Sequence, residues 1–460
     1  MEQFDVFVVG GGPAGSTLAG KLADAGKRVG ITEARGYGGT CALRGCDPKR
    51  IMASVAEVYD ESCRLRGKGL DGELTMNWNG IRDFVAGYVD PLAKEAADSL
   101  REKGISVYHE HAAFVKERTL ELSDGTQVRA EHIVLATGLQ PADLDIEGAE
   151  YTKTSADFHR LDARPDRVLF VGGGYIGLES AHVMKHCGAE VIILNRDDDP
   201  LPMFEPELSE RLYACTRDRG IEMVMNTEVE RIERLDDGHY KVYACSKDGK
   251  RSSYEVDLVM NTSGRVPRLE GLQLERGGIE SSKEGIPVDD YFRVKGADGV
   301  WAIGDVAVTK APPLTPVANL HARALFASLC GEDLQKADYE GLPTAIYAFP
   351  ELACVGLLES EAREQGLFVE VTCKLDLDDK YNAYRTQAQA YASKVVVDAQ
   401  RGCIIGANIL GPSASEVINL FALAVRCKLT IEQLRDVPYA YPTWASDLPK
   451  MLPAREAVPA

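Results

Sequence analysis

Cys41 and Cys46, in Gly39-Thr40-Cys41-Ala42-Leu43-Arg44-Gly45-Cys46-Asp47-Pro48-Lys49, are a thiol pair whose types and spacing suit redox chemistry. A thiolate attacks disulfides or binds soft metals, and two neighbouring thiols store two electrons as a reversible disulfide. The same spacing also fits two unpaired structural thiols, so the surrounding elements must decide. A pair held beside a bound flavin turns two-electron hydride chemistry into thiol chemistry, and the segments on either side point that way.

Asp5-Val6-Phe7-Val8-Val9 reads as a short buried strand. The turn Gly10-Gly11-Gly12-Pro13-Ala14-Gly15 follows, then a helix from Ser16 to Ala25, a stop at Gly26 and the strand Val29-Gly30-Ile31-Thr32-Glu33. Gly10 permits the tight turn, Gly12 lets backbone approach a pyrophosphate at the helix N-terminus, and Gly15 lets helix and strand pack closely. Glu33 is placed to accept from ribose hydroxyls. Two later segments, Ile133-Val134-Leu135-Ala136-Thr137-Gly138 and Val300-Trp301-Ala302-Ile303-Gly304-Asp305, also run from strand into turn, and Asp305 suits a ribityl chain. FAD is the expected occupant.

A second unit begins at Arg167-Val168-Leu169-Phe170-Val171. It continues through Gly172-Gly173-Gly174-Tyr175-Ile176-Gly177-Leu178-Glu179, a helix to about Cys187, and the strand Glu190-Val191-Ile192-Ile193-Leu194. Two such units imply two dinucleotides, a permanently held FAD and an exchanging nicotinamide. An NAD site normally ends this strand with an acid. Here Asn195 and Arg196 stand there, and Arg196 could pair with a 2′-phosphate, although Asp197, Asp198 and Asp199 follow. NADPH is expected, with NADH left open.

The chain has 460 residues, enough for about three domains. Its net charge of −19 argues against a nucleic-acid partner, and it has no apolar run of membrane-spanning length. The early strand Val6–Val9 and an odd count of 11 cysteines favour a cytoplasmic protein without a signal peptide. Cys63, Cys187, Cys215, Cys245, Cys330, Cys354, Cys373, Cys403 and Cys427 show no metal-ligand spacing, so no metal site is expected. They read as small buried hydrophobes.

Taken together, these motifs resemble the flavin-dependent pyridine nucleotide–disulfide oxidoreductases, which include glutathione reductase, dihydrolipoamide dehydrogenase and mercuric reductase. Gly264-Arg265-Val266-Pro267, Leu314-Thr315-Pro316-Val317-Ala318 and Phe349-Pro350-Glu351 extend the resemblance over nearly the whole chain. It implies an α/β fold with two Rossmann-like domains, for FAD (1–158 and 266–336) and NAD(P) (159–265), and an α+β dimerisation domain (337–460). Gly39, Thr40, Lys49 and Thr315 to Ala318 would join the FAD site, and Gly264 the nicotinamide site. Tyr175 would gate the nicotinamide face of the flavin, Cys46 would lie against its other face, and Cys41 would attack substrate. Lys49 and Glu179 would form an ion pair beside the flavin. A homodimer would bring Tyr441 to the other subunit's dithiol.

The resemblance also exposes departures. Where the family has a His-Pro-Thr sequence with a glutamate five residues after the histidine, this chain has Tyr441-Pro442-Thr443 and Ser446. The last histidine is His321. A tyrosine is a poor base at neutral pH, and loss of general acid–base catalysis slows such exchange by about 10²- to 10⁴-fold. Arg323 matches an arginine that contacts glutathione disulfide, but the other such position is Gly20. Asp47 replaces a usually apolar residue, with Lys49 or Arg50 able to neutralise it, or water to solvate it. Lys380-Tyr381-Asn382-Ala383-Tyr384-Arg385 reads as a strand edge at the dimer interface. The expected activity is electron transfer from NADPH through FAD and the dithiol to a small disulfide. The alternative acceptors are metal ions, quinones or other electrophiles.

Overall fold

The computed structural model describes residues 1–331, 333–378 and 380–454. Its first sheet is built on the apolar strand β1 (Glu2–Val9), which pairs in parallel with β2 (Val29–Thr32) and β6 (Gln127–Leu135). β2 also pairs in parallel with β3 (Ser106–Tyr108). β4 (Ala112–Lys116) and β5 (Thr119–Leu122) extend the sheet antiparallel from the first half of β6. The second half of β6 takes Val300–Ala302 in parallel, so a segment from far along the chain completes this sheet. The carboxyl ends of β1, β6 and Val300–Ala302 therefore open on one side, where open parallel sheets bind ligands.

Helix α1 (Pro13–Asp24) follows β1 through Gly10, whose φ of +114° excludes most side chains. A Cβ at Gly10 would lie 2.3 Å from the Ala136 carbonyl oxygen, and one at Gly15 would lie 2.0 Å from the Gly10 oxygen. These clashes show why the helix start can sit against two strands only with glycines there.

The short α2 (Gly39–Arg44) and the 19-residue α3 (Cys46–Arg64) come next, joined by Gly45 alone, and α4 (Trp78–Glu102) packs on α3. Tyr37 is fully buried ahead of them, its hydroxyl donating to the carbonyl of Tyr108 (2.6 Å), which ties the approach to α2 to the sheet.

The second sheet is wholly parallel, in the order Ile221–Val224, Glu190–Leu194, Arg167–Val171, Leu258–Asn261, Lys153–Thr154. The helix Tyr175–His186 leaves its central strand through Gly172, repeating the first unit. A third, antiparallel sheet runs Pro343–Ile346, Leu352–Gly356, Cys403–Leu410, Ala392–Asp398, Val369–Lys374. The amphipathic helix Ala414–Arg426 buries Val417, Ile418 and Phe421 against it.

One buried cluster spans all three regions. It contains Met52 of α3, Val85 of α4, Leu178 of the helix Tyr175–His186, and Ile346 and Phe349 beside the third sheet. Full burial of such side chains contributes about 1.5–3 kcal/mol each, so α3 and the helix Tyr175–His186 hold their relative position through apolar packing. Asp60 of α3 adds polar contacts across the same junction, accepting from Arg64 Nε (2.9 Å), from Arg219, and bonding His186 Nε2 (3.2 Å).

Two expectations fail. The segment at Lys380–Arg385 is a helix, Tyr381–Thr386, because Asn382 turns inward and donates to the Thr443 carbonyl (2.9 Å) and Asp447 (2.8 Å). Of the nine cysteines outside the pair, only Cys215 and Cys354 are buried, while Cys330, Cys373 and Cys427 are exposed. The end of the expected third domain, residues 455–460, lies outside the described residues.

Candidate active site

Gly45 breaks the backbone between α2 and α3, so Cys41 and the first residue of α3, Cys46, turn toward one another. Both meet Thr315, which opens the helix Thr315–Cys330. Its hydroxyl donates to Cys41 Sγ (3.0 Å) and lies 3.9 Å from Cys46 Sγ. The two thiols share a hydrogen bond, and they divide the charge unequally. The Cys46 thiol is pushed down to about 6 by the hydrogen bond from Cys41, against burial, with help from the Lys49 ammonium and Thr315. The Cys41 thiol is pushed up by that same bond, by burial and by the Cys46 charge. At neutral pH the pair therefore holds a thiolate at Cys46 and a protonated thiol at Cys41.

One turn along α3, Lys49 forms an ion pair with Glu179 of the helix Tyr175–His186. Glu179 is 2% exposed, and its other oxygen accepts from the Tyr347 backbone N–H (2.9 Å). Burial alone would lower the Lys49 pKa, but attraction to Glu179 outweighs it and holds the ammonium charged. Tyr175, four residues before Glu179, sets its ring 5.1 Å from Lys49 Nζ. Cys46, Lys49, Glu179 and Tyr175 thus form one continuous set across two nucleotide units.

Around the first unit, Gly11 N–H donates to Glu33 Oε2 (2.9 Å), and Gly39 sits so close to Gly12 that a Cβ on it would lie 2.6 Å from the Gly12 Cα. Thr40 lies on α2 beside Cys41. Thr17 donates to Asn319 (3.0 Å), and Val317 and Ala318 are buried, which locks Thr315 and Pro316 beside α1. Burial raises the Asp305 carboxyl, and Arg265 partly offsets it.

Gly304 N–H donates to His321 Nδ1 (3.1 Å), so the proton sits on Nε2 and is donated to Tyr339 Oη (2.8 Å). Burial pushes His321 down to about 4, and both ring nitrogens are engaged. His321 is a brace for the Gly304–Asp305 turn, not an acid–base group. His321→Phe leaves the Gly304 N–H unpaired and is expected to cost about 1–3 kcal/mol and to loosen flavin retention. Urea unfolding and the flavin-to-protein ratio of the purified variant check this; no change in either contradicts it.

In the second unit, Asn195 Oδ1 accepts from Gly173 N–H (2.9 Å), the counterpart of Glu33 and Gly11. Gly177 approaches Gly172 as Gly15 approaches Gly10, and Ile176 follows Tyr175 in the first helical turn. The Gly264 carbonyl accepts from Ala142 N–H (3.0 Å). Arg196 is exposed and reaches Asp197 (3.4 Å).

Tyr441 stands apart. It is 75% exposed and stacks on Tyr381, with ring centroids 6.4 Å apart. Among the described residues, no hydrogen bond or ring contact joins it to the dithiol of its own chain. Ser446 is half-buried and donates to the Thr443 carbonyl three residues back (2.6 Å). Arg323 is exposed and lines a cleft of about 530 Å³ together with Thr315, Asn319 and Arg426. Sequence reasoning placed Thr315 at the flavin only; its contacts with Cys41 and Cys46 span separations of 274 and 269 residues, and no local signal marks them.

Residues 4–322 match the pyridine nucleotide-disulphide oxidoreductase family, and residues 342–452 match its dimerisation domain. The chain belongs to this family. It is 30% identical to glutathione reductase of Schizosaccharomyces pombe, over 97% of this chain and 98% of that one. It is 29% identical to dihydrolipoyl dehydrogenase of Haloferax volcanii, over 96% and 94%. Its fold matches the copper(II) complex of the HOCl-induced flavoprotein disulfide reductase RclA of Escherichia coli, with a TM-score of 0.87 and 26% identity over 98% and 99%. As a family member the chain is an NAD(P)H-dependent flavoprotein oxidoreductase of the α/β class expected above. No helix among the described residues is long and apolar enough to cross a membrane.

The residues present fit the family's two dinucleotides. Gly12 and Gly174 start their helices in extended conformation with no side-chain cap, so the first-turn N–H groups of both helices are free to bind phosphate. Nothing lies within 4 Å of a Cβ built on Gly174, and only the Gly39 Cα, at 3.9 Å, approaches one on Gly12. Thr137 Oγ1, beside Gly138, is buried without a hydrogen-bond partner, a polar atom positioned for a ligand.

Proposed function

We propose that this enzyme reduces a small-molecule disulfide at the expense of NADPH, with Cys41 and Cys46 as the redox-active pair. The observation that carries the reading is the convergence of both sulfurs on Thr315 with the Lys49–Glu179 pair one turn away. Bound FAD would supply the two-electron carrier between nicotinamide and sulfur. Lys49 keeps the local potential positive, which favours the Cys46 thiolate. Tyr175 covers the approach to Lys49 on the nicotinamide side. Cys41 attacks substrate, and the Arg323–Arg426 cleft favours an acidic one.

The FAD site comprises the Gly10–Gly15 turn, Glu33, Gly39, Thr40, Lys49, Thr137, Gly138, Gly304, Asp305 and Thr315 to Ala318. The nicotinamide site comprises Gly172 to Gly177, Glu179, Asn195, Arg196 and Gly264. The proposed domain limits are 1–158 with 266–336, 159–265, and 337–460. Two copies would pair through the last domain as a cytoplasmic homodimer, with Tyr441 reaching the other subunit.

NADPH is favoured because an amide, Asn195, replaces the usual acid, and because Arg196 and Lys247 both reach the Asp197 carboxylate (3.4 and 3.6 Å). A 2′-phosphate would compete with that carboxylate for two cations. Arg196→Ala is expected to lower the NADPH-to-NADH ratio of kcat/KM about tenfold, the size of one charge-assisted hydrogen bond. An unchanged ratio removes Arg196 from the site.

A second reading, reduction of a metal ion such as copper(II), is favoured by the replacement of the family's histidine by Tyr441 and by the copper(II) complex of RclA. Steady-state NADPH oxidation with glutathione disulfide and with copper(II) separates the two. Turnover with the disulfide supports the first, and turnover with copper alone the second.

A further inference from the structure

We infer that Arg44 and Arg268 clamp the phosphates of bound FAD, one guanidinium on each side of the Gly10–Gly15 turn. This rests on the FAD site proposed above and adds to it two residues outside its glycine turn. Arg44 Nε and Arg268 Nε are both buried, and neither has a hydrogen-bond partner. Other half-buried arginines, Arg64, Arg211 and Arg219, are each paired with a carboxylate. Among the described residues, Arg44 and Arg268 have no such pair. A guanidinium stays charged, and a charge taken out of water without a counter-ion is costly. Burial and the neighbouring Arg35 charge push Arg44 down to about 10, and the same two causes lower Arg268. An anion held between them removes that cost.

Hydrogen bonds and sheet order place the two residues. In the first sheet β2 and β6 flank β1. Glu33 follows β2, and its carboxylate accepts from Gly11 N–H (2.9 Å) and Arg35 N–H (2.7 Å). Arg44 reaches this loop from the end of α2, its Nη1 donating to the Arg35 carbonyl (3.0 Å). α2 starts at Gly39, against Gly12, and Arg44 stands four residues after Thr40 on the same face of the helix. On the other side, Thr137 and Gly138 follow β6, and Arg268 N–H donates to the Gly138 carbonyl (3.0 Å). Thr137 Oγ1 is a third buried atom without a partner. Three orphaned polar atoms thus flank the carboxyl end of β1, where α1 begins at the uncapped Gly12.

A pyrophosphate fits this setting. The first-turn N–H groups of α1 offer donors in line with the helix dipole, and an arginine fork takes phosphate oxygens two at a time. Both oxygens of Glu33 are engaged by backbone N–H groups, and it forms no ion pair with either arginine among the described residues. The acid is left for the ribose hydroxyls, and the two guanidinium groups for the phosphates.

The test dilutes the holoenzymes of wild type, Arg44→Met, Arg268→Met, Arg44→Lys and Arg268→Lys into ADP or adenosine and reads released FAD by its fluorescence. Wild type should release FAD at lower concentrations of ADP than of adenosine, because only ADP carries the phosphates. Each methionine variant should hold FAD at least about tenfold more weakly and lose about tenfold of the ADP-over-adenosine preference, the size of one charge-assisted hydrogen bond. The lysine variants, which keep the charge and lose the fork, should fall between. Methionine variants that hold FAD as tightly as wild type would overturn the clamp. So would weaker holding with the ADP preference intact, since a loosened fold weakens both competitors alike. If a methionine variant fails to fold, its lysine counterpart decides on the same preference: a fall supports the clamp, and an unchanged preference overturns it. Wild type without any preference for ADP would sink the FAD-site reading itself, whereas a preference that survives in the variants sinks only the clamp.

Discussion

Lys49→Met is expected to unfold more easily than wild type by about 3–5 kcal/mol and to lose at least about 10²-fold in disulfide reduction. Glu179 is 2% exposed and pairs with the Lys49 ammonium. Removing the lysine leaves a buried carboxylate with one backbone N–H, that of Tyr347, as its remaining hydrogen-bond donor. The Cys46 thiol also loses a cation that lowers its pKa, so its titration should move up from about 6. Below that new value the thiol is neutral and inert, so the loss of activity should be largest in acid and shrink as pH rises. Denaturant unfolding and a pH–rate profile check both parts. A variant within about 1 kcal/mol of wild type, with an unmoved profile, would mean that the pair is no more than a surface-like ion pair.

Cys41→Ser should abolish disulfide reduction while leaving the Cys46 thiolate in place. Serine cannot form the mixed disulfide, so the loss is that of the nucleophile itself. Its hydroxyl can still donate to Cys46, and Lys49 and Thr315 remain, so the absorption band expected from a thiolate beside the flavin should persist. That band should grow as pH rises through about 6, because the charged form is the one favoured in the fold. Cys46→Ser should remove the band altogether. Retention of glutathione disulfide reduction by Cys41→Ser would transfer the attacking role elsewhere.

Much of this arrangement was legible because it is encoded locally. Gly10 and Gly172 each follow a buried apolar strand, and the backbone at both demands glycine, so the two nucleotide units could be read from a dozen residues apiece. The pairing of Lys49 with Glu179 was suggested by resemblance, and the structure brings them together. What stayed hidden depends on contacts between distant segments. Thr315 reaches both sulfurs only because Val300–Ala302 and the helix after it return to the first sheet. The helix Tyr381–Thr386 was misread as a strand because its aromatic residues suit a strand locally, and the Asn382 bonds to Thr443 and Asp447 that favour the helix are tertiary. The exposed cysteines were misread because composition describes what is buried on average, not which position faces solvent.

The most direct test is anaerobic. The purified holoenzyme is reduced with NADPH, the long-wavelength absorption is followed, and glutathione disulfide is then added. A band that forms on reduction and is discharged within one turnover is the predicted result, since the Cys46 thiolate would report electrons arriving and Cys41 would pass them on. A band that never forms, or that forms and persists after the disulfide is added, would contradict electron transfer through this dithiol to a disulfide.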